Sequence, residues 1–192
     1  MSWTRKSAVP RCADTLVCNT GPLIALAKLE CLELLARLFA RVLVPDIVWR
    51  ELTRSRGMPE IREVNPKRLD LEIVASPAAD PLLVLQLDAG EASVLRVARK
   101  FPGSTVLIDE RKARQVASIV YGLPVLGTGG LLLRAKRAGL IPLVRPVLKN
   151  LQSHGYYISD KIVDRICMEA GEMTVHSPRQ PHRAPPRLLF VT

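Results

Sequence analysis

The sequence predicts an α/β fold with three layers, α/β/α, around a central parallel sheet. Five short apolar runs rich in Val, Leu and Ile alternate with amphipathic helical stretches. This alternation is typical of parallel strands that are covered by helices on both faces. The 192 residues suffice for one such domain. A hydrophobic fraction of 48% and a charged fraction of 24% are globular values, which exclude wholesale disorder and a fibrous repeat.

Local signals place each element in turn. The predicted strands comprise residues 14–18, 41–44, 71–74, 104–108 and 123–126. The predicted helices comprise residues 23–39 (one broken or two consecutive helices), 45–52, 88–100, 109–121, 131–139, 143–153 and 159–171. Pro22 and Pro45 suit the first turns of helices, and Asp88 with Glu91 forms a capping box. The polar residues 54–70 are predicted to form a loop or a weak helix.

The two ends of the chain differ in composition from its middle. The formal net charge is +10, and residues 1–13 and 173–192 each contain three cations and no acid. We therefore predict a basic N-terminal extension at 1–13, one domain at 14–172 and a disordered Pro/Arg-rich tail at 173–192. The middle segment is mildly basic, which is compatible with a polyanionic partner such as RNA.

The four cysteines indicate a reducing environment. Cys12, Cys18, Cys31 and Cys167 include no C-x-x-C pair and lie in apolar surroundings. This pattern favours reduced, buried thiols over disulfides or a zinc site, and hence a cytoplasmic protein. The first residues lack the apolar core of a signal peptide, and charges interrupt every long apolar stretch. No membrane span is therefore expected.

Oxygen-bearing side chains occupy the junctions that follow the predicted strands. In an open parallel sheet, the carboxyl ends of the strands line the crevice in which ligands bind. The side chains at these junctions are Asn19, Glu51, Asp88, Glu91, Asp109 and Glu110. Such hard oxygen ligands suit Mg²⁺ or Mn²⁺, and these ions promote phosphodiester hydrolysis. Each residue also has a structural role open to it, as a helix cap, a turn residue or an exposed helical residue.

Other catalytic motifs are absent from the sequence or weak. No G-x-S-x-G, H-E-x-x-H or Walker lysine occurs. The three histidines, His154, His176 and His182, lie late in the chain and are interpreted as surface residues. The Gly127 to Gly130 turn offers backbone N–H groups to a phosphate. A nucleotide- or phosphate-handling enzyme therefore stays open as a weaker possibility.

Five segments, in order along the chain, carry a more specific signal. They read NTGPLIALAK at 19–28, VPDIVWREL at 44–52, LDAGEA at 87–92, LIDERKAR at 107–114 and GTGGLLLRAKRAGLI at 127–141. Together they resemble the PIN-domain family and, more narrowly, its prokaryotic subgroup of toxin–antitoxin type. The resemblance covers about residues 14–171, and five ordered matches are far more specific than any one of them.

The resemblance implies a three-layer α/β/α nuclease that uses acidic side chains and Mg²⁺ or Mn²⁺ to cut single-stranded or structured RNA. It further implies a homodimer that is restrained by a cognate antitoxin. Matched by position, the catalytic and metal-binding sites of the family fall on Asn19, Glu51, Glu91 and Asp109. Asn19 stands where the family has an acid, and Thr20 is the neighbouring hydroxyl. An amide oxygen ligates metals but brings no negative charge.

Two functions of different class follow. The first is a metal-dependent endoribonuclease, the toxin of a toxin–antitoxin pair, with Arg111 and Lys112 in contact with RNA phosphates. The second is a PIN-like module of weakened activity that binds RNA or a protein partner, which Asn19 favours. For the metal site, the sequence predicts that Asp109→Asn raises the stability of the metal-free protein, because it removes repulsion between carboxylates.

Overall fold

A computed structural model describes residues 12–54, 61 and 64–172. The strands of the sheet are β1 (Cys12–Cys18), β2 (Phe39–Pro45), β3 (Leu71–Val74), β4 (Thr105–Leu107) and β5 (Val125–Leu126). Their order across the sheet is β3-β2-β1-β4-β5, and every neighbouring pair is parallel. The predicted three-layer α/β/α architecture is confirmed. The predicted tail at 173–192 and residues 1–11 of the predicted extension lie outside the described residues.

Helices connect the strands and cover the sheet. They are α1 (Thr20–Lys28), α2 (Glu33–Leu38), α3 (Asp46–Arg54), α4 (Pro81–Val84), α5 (Ala89–Lys100), α6 (Arg111–Gln115), α7 (Thr128–Arg137), α8 (Arg145–Ser153) and α9 (Asp160–Glu169). A π-helical turn at Val116–Val120 continues α6. The break between α1 and α2 is one of the two arrangements that the periodicity allows, and Glu30 adopts a left-handed conformation there, with φ 52°.

The central strands supply the core. Leu16, Val17 and Cys18 of β1 are fully buried, as are Val106 and Leu107 of β4. Burial of each large apolar side chain stabilises the fold by about 1.5–3 kcal/mol. The continuous apolar character of these strands follows from helices on both faces of the sheet.

The chain order of the strands creates one switch point in the sheet. From β1 the chain adds β2 and β3 on one side, and it then crosses to add β4 and β5 on the other. A crevice forms at such a reversal, outside the carboxyl ends of the strands on either side of it. Here those strands are β1 and β4, which pair from Leu16 with Thr105 to Cys18 with Leu107.

Several boundaries differ from the sequence prediction by one to three residues, and two differences concern the type or length of an element. The helix predicted at 109–121 is α6 followed by the π-helical turn, and the strand predicted at 123–126 is only Val125–Leu126. Hydrophobic periodicity does not distinguish a single π turn from the α-helix that it continues, because the turn only shifts the backbone hydrogen bonds from i→i+4 to i→i+5.

The cysteine side chains that the structure describes have the reduced, buried state that the sequence predicts. Cys18, Cys31 and Cys167 are buried free thiols. Burial, followed by the charge of Glu33, raises the pKa of Cys31 to about 12. Such thiols stay protonated and unreactive at neutral pH. Within the described part of the chain, no helix has both the length and the apolar character needed to cross a bilayer.

Candidate active site

Asn19 lies directly after β1, at the switch point of the sheet. Its backbone N–H donates to the Leu107 carbonyl at 3.0 Å, which joins the ends of β1 and β4. The residue is 9% exposed and is the N-cap of α1, but its side chain makes no capping hydrogen bond. Its Oδ1 atom is buried and has no hydrogen-bond partner. An unpaired buried acceptor costs about 1–3 kcal/mol, and an Asx turn would have paired this oxygen, so the Asn19 side chain does not have that turn-stabilising role.

Glu51 projects from α3 to the beginnings of two other helices. The Thr20 hydroxyl of α1 donates to Glu51 Oε2 at 2.6 Å. A Cβ atom added to Gly90 of α5 would lie 2.6 Å from the same oxygen and 3.1 Å from Oε1. Only a glycine at this position therefore leaves room for the carboxylate. Through these contacts Glu51 lies beside the chain neighbours of Asn19 and Glu91.

Glu91 has the capping role that its spacing from Asp88 predicts. Its backbone N–H donates to Asp88 Oδ1 at 2.8 Å, and the Asp88 N–H donates to Glu91 Oε2 at 3.3 Å. Only 6% of Glu91 is exposed. Burial, followed by the charge of Asp88 and then that of Glu110, raises the pKa of the Glu91 carboxyl. A nearby cation favours the ionised form of such a group.

Asp109 accepts three hydrogen bonds at the end of β4. Thr128 donates its backbone N–H to Oδ1 at 2.7 Å and its hydroxyl to Oδ2 at 2.5 Å. The Tyr156 hydroxyl also donates to Oδ2. Since a carboxylate offers about four acceptor positions, the open position is on Oδ1. Burial, followed by the charge of Asp109 and the hydrogen bond to it, raises the pKa of Tyr156. The phenol therefore stays protonated as a donor.

The glycine-rich turn before α7 is built around Asp109. The Thr128 N–H, which a phosphate at the helix N-terminus would need, is donated to the Asp109 carboxylate. A Cβ atom on Gly127 would collide with the guanidinium of Arg114, which donates to the Ile108 carbonyl at 3.3 Å. These contacts explain the turn without a nucleotide, so we do not propose a nucleotide-handling enzyme.

The four predicted site residues are linked in pairs. The ends of β1 and β4 bring Asn19 and Asp109 to one edge of the sheet, and the first turn of α5 connects Glu51 with Glu91. In the described part of the chain, no three His, Cys, Asp or Glu side chains form a group that could hold a metal ion. The carboxylates of Glu51, Glu91 and Asp109 instead accept hydrogen bonds from other groups of the protein.

The donor set is chemically suited to a divalent cation. It consists of three carboxylates and one amide, and the amide oxygen, Oδ1 of Asn19, is buried without a partner. Mg²⁺ and Mn²⁺ prefer oxygen ligands of this kind over nitrogen or sulfur. The residue types present would therefore suit such an ion, and Asn19 and the open position of Asp109 would be its first contacts.

Sequence reasoning missed three residues of this site. Thr128 and Tyr156 hold Asp109, and Gly90 makes room for Glu51. Gly90 had a detectable signal, since a glycine in the first turns of a helix is unfavourable unless something packs closely against it. Tyr156 had none, because it lies 47 residues from Asp109 in the sequence and follows no strand.

The fold and the site together define a doubly wound α/β protein with oxygen-bearing side chains at its switch point. A family model described as a PIN domain, DUF3368, matches residues 15–172, and the chain therefore belongs to the PIN-domain family. PIN domains are generally nucleases, and these nucleases usually use divalent metal ions. No curated protein and no solved structure matches the chain.

Proposed function

We propose that this protein is a metal-dependent endoribonuclease that hydrolyses RNA phosphodiester bonds. Asn19, Glu51, Glu91 and Asp109 are its proposed catalytic and metal-binding residues. The observation that carries the proposal is the buried, unpartnered Oδ1 of Asn19. It lies at the switch point of a nuclease-type fold, where Asp109 follows the end of the neighbouring strand β4.

Different residues of the chain have different roles in such a site. A bound Mg²⁺ or Mn²⁺ supplies Lewis-acid stabilisation of the charge that develops on the phosphoryl group. Asn19 and Asp109 offer the open oxygens. Thr128 and Tyr156 fix the orientation of the Asp109 carboxylate, as outer-shell hydrogen bonds do in metal sites.

The surface beside Asp109 suits a polyanionic substrate. Arg111 and Lys112 are exposed in the first turn of α6, two and three residues after Asp109. We assign them to contacts with RNA phosphates, in a chain whose net charge is +10. Binding through such contacts weakens steeply as the salt concentration rises.

The biological setting belongs to the same proposal. The sequence resemblance supports a toxin that is restrained by a cognate antitoxin and acts as a homodimer. The buried free thiols Cys18, Cys31 and Cys167 support a cytoplasmic location. A neighbouring reading frame that encodes a small DNA-binding protein would support the toxin role, and sedimentation of the full chain tests the dimer.

RNA cleavage by the purified full chain tests the activity. We expect cleavage of single-stranded RNA with Mn²⁺ and none with EDTA, and a loss of about 100-fold or more in Glu51→Gln and Asp109→Asn. Glu110→Gln is the matched control, because Glu110 is adjacent to Asp109 but caps α6 through the Ala113 N–H at 2.8 Å. Equal activity in all three variants, or cleavage in EDTA, would overturn the proposal.

A binding module of weakened activity is the second candidate, and the neutral side chain of Asn19 favours it. A site with one fewer carboxylate attracts a divalent cation less strongly. This alternative predicts RNA binding without cleavage at every Mn²⁺ concentration, and it predicts the same RNA affinity in Asp109→Asn as in the wild type.

A further inference from the structure

Arg96 of α5 is a buried residue whose guanidinium has no acidic partner in the part of the chain that the structure describes. The residue is 7% exposed, and its Nε atom is buried with no hydrogen-bond partner. Among the described residues, none forms an ion pair with its guanidinium. Arg99, one turn further along, contrasts with it. Arg99 pairs with Asp80 at 3.3 Å and stacks on the Tyr121 ring at 4.8 Å.

Arg96 faces a surface pocket of about 320 Å³. The residues that line this pocket are Pro77, Ala78, Asp80, Arg96, Arg99 and Lys100. The three cations share one face of α5, because they are three and four residues apart. Asp80 is already engaged: its Oδ1 accepts from the Leu82 N–H at 3.1 Å and its Oδ2 from Arg99. The pocket therefore has an excess of positive charge.

The pocket is distinct from the candidate active site. Glu91 lies near the beginning of α5 and Lys100 at its end. At 1.5 Å and 100° per residue, Arg96 lies about 7.5 Å along the helix from Glu91 and about 140° around its axis, and Lys100 lies about 13.5 Å along it and about 180° around. The cationic face thus lies further down the helix and on a different side from Glu91.

The helix dipole does not account for this arrangement. Cations in the last turn of a helix interact favourably with its C-terminal carbonyl groups, and the exposed Arg99 and Lys100 can do so in water. Arg96 lies deeper, and an arginine is always charged. A buried ion without a partner is strongly unfavourable, whereas an ion with a well-placed counter-ion is not. The missing counter-ion indicates an anionic ligand.

We propose that the Arg96 pocket binds a phosphate group. The planar fork of N–H donors on a guanidinium matches phosphate oxygens in a bidentate manner, and two further cations suit a multiply charged anion. The phosphate is either a free phosphate or a phosphate of an RNA strand. Only the second source rests on the proposed nuclease function, since the pocket itself lies away from that site.

Phosphate binding to the full chain in EDTA tests the pocket directly. We expect sodium phosphate to raise the melting temperature above that in sodium chloride of equal ionic strength. Arg96→Met keeps the apolar stem and should weaken phosphate binding about tenfold or more by calorimetric titration. Because it also removes an unpaired buried charge, it should melt no lower than the wild type without phosphate. A purely structural Arg96 predicts a lower melting temperature.

Arg137→Met is the matched control. Arg137 is exposed in the last turn of α7, so this variant removes the same charge from the same part of a helix without touching the pocket. It should bind phosphate like the wild type. Should Arg96→Met fail to fold, the exposed Lys100→Met replaces it, with the same expected loss of affinity. No phosphate effect, or an equal effect in the pocket and control variants, overturns the proposal.

A second arm identifies the source of the phosphate. If it is an RNA phosphate, Arg96→Met also weakens the binding of a single-stranded oligoribonucleotide in EDTA. If it is free phosphate, RNA binding is unchanged. If phosphate has no effect on the wild type while Mn²⁺-dependent cleavage is intact, the pocket proposal alone is rejected. A phosphate effect without any cleavage rejects the nuclease proposal alone.

Discussion

Asp109 combines a structural role with the position that the proposed reaction needs. The sequence predicts repulsion between this carboxylate and its neighbours, which its removal would relieve. The structure instead gives Asp109 three donors, two from Thr128 and one from Tyr156. We therefore expect the loss of these hydrogen bonds to outweigh any relief of like-charge repulsion in the metal-free protein, so the expected effect of the substitution changes sign.

Asp109→Asn should lower the stability of the metal-free protein by about 1–3 kcal/mol, because its NH₂ group meets donors instead of accepting from them. Urea unfolding in EDTA measures this difference. Tyr156→Phe removes one of the three donors and should cost less, about 1 kcal/mol. If Asp109→Asn is instead more stable than the wild type, repulsion between the carboxylates dominates over these hydrogen bonds.

Helix α5 positions the site through its first turns. Its capping box orients Glu91, and Gly90 leaves the space that the Glu51 carboxylate occupies. Since the side chain of Glu51 is flexible, a methyl group at residue 90 would displace the carboxylate rather than the backbone. The hydrogen bond from Thr20 would then be lost.

Gly90→Ala should therefore separate stability from activity. We expect stability within about 1 kcal/mol of the wild type, because the better helix propensity of alanine offsets the lost hydrogen bond from Thr20. RNA cleavage should fall about 10–100-fold, which is the loss of activity that follows when the outer-shell partners of a metal ligand are mutated. Gly21→Ala in the first turn of α1 is the control, since a Cβ there has no atom within 4 Å. Unchanged cleavage in Gly90→Ala would remove Glu51 from the site.

The C-terminal helices are joined to the domain by Glu172. Its carboxylate accepts from the Val144 and Arg145 N–H groups at the start of α8, at 2.5 and 2.9 Å, and from Lys136 of α7 at 2.8 Å. Only 8% of its side chain is exposed. Burial raises its pKa, but the hydrogen bonds from Lys136, Val144 and Arg145 outweigh this, so that the pKa lies below the ordinary value of 4.5.

Glu172→Gln should destabilise the protein by about 1–3 kcal/mol at neutral pH. A depressed pKa in the folded state gives stability that is complete above the unfolded value and lost as the pH falls through the folded one. The difference from the wild type should thus shrink below pH 4.5, the ordinary glutamate value. Urea unfolding at several pH values measures it. Asp160→Asn, at an exposed ion pair with Lys149, should change little. A difference that is independent of pH would exclude the ionised carboxylate as its cause.

At the scale of the whole molecule, the sequence predicts the sheet better than the site. All five strands were predictable, because buried parallel strands leave continuous apolar runs between helical segments. The switch-point position of Asn19 and Asp109 follows from those strands. The partners Tyr156 and Glu172 were not predictable, since they reach the rest of the domain only through tertiary packing. The same holds for the missing partner of Arg96.

Asn19 lies at the switch point of the sheet and is also a proposed metal ligand. Its buried oxygen is unpartnered in the structure, and its side chain is neutral at a position where the sequence resemblance implies an acid. Asn19→Asp adds one negative charge at nearly constant volume. In the metal-free protein this buried charge should lower stability, and it should strengthen the attraction of the site for a divalent cation.

The rate of RNA cleavage as a function of Mn²⁺ concentration, in the wild type and in Asn19→Asp, tests the metal site most directly. We predict that both proteins need the ion and that Asn19→Asp reaches its half-maximal rate at an about tenfold lower Mn²⁺ concentration. One added charge near a divalent ion is expected to strengthen ion binding by at least about 1.4 kcal/mol, which is a tenfold change in affinity. The same Mn²⁺ dependence in both proteins, or cleavage by either in EDTA, would contradict the proposed site.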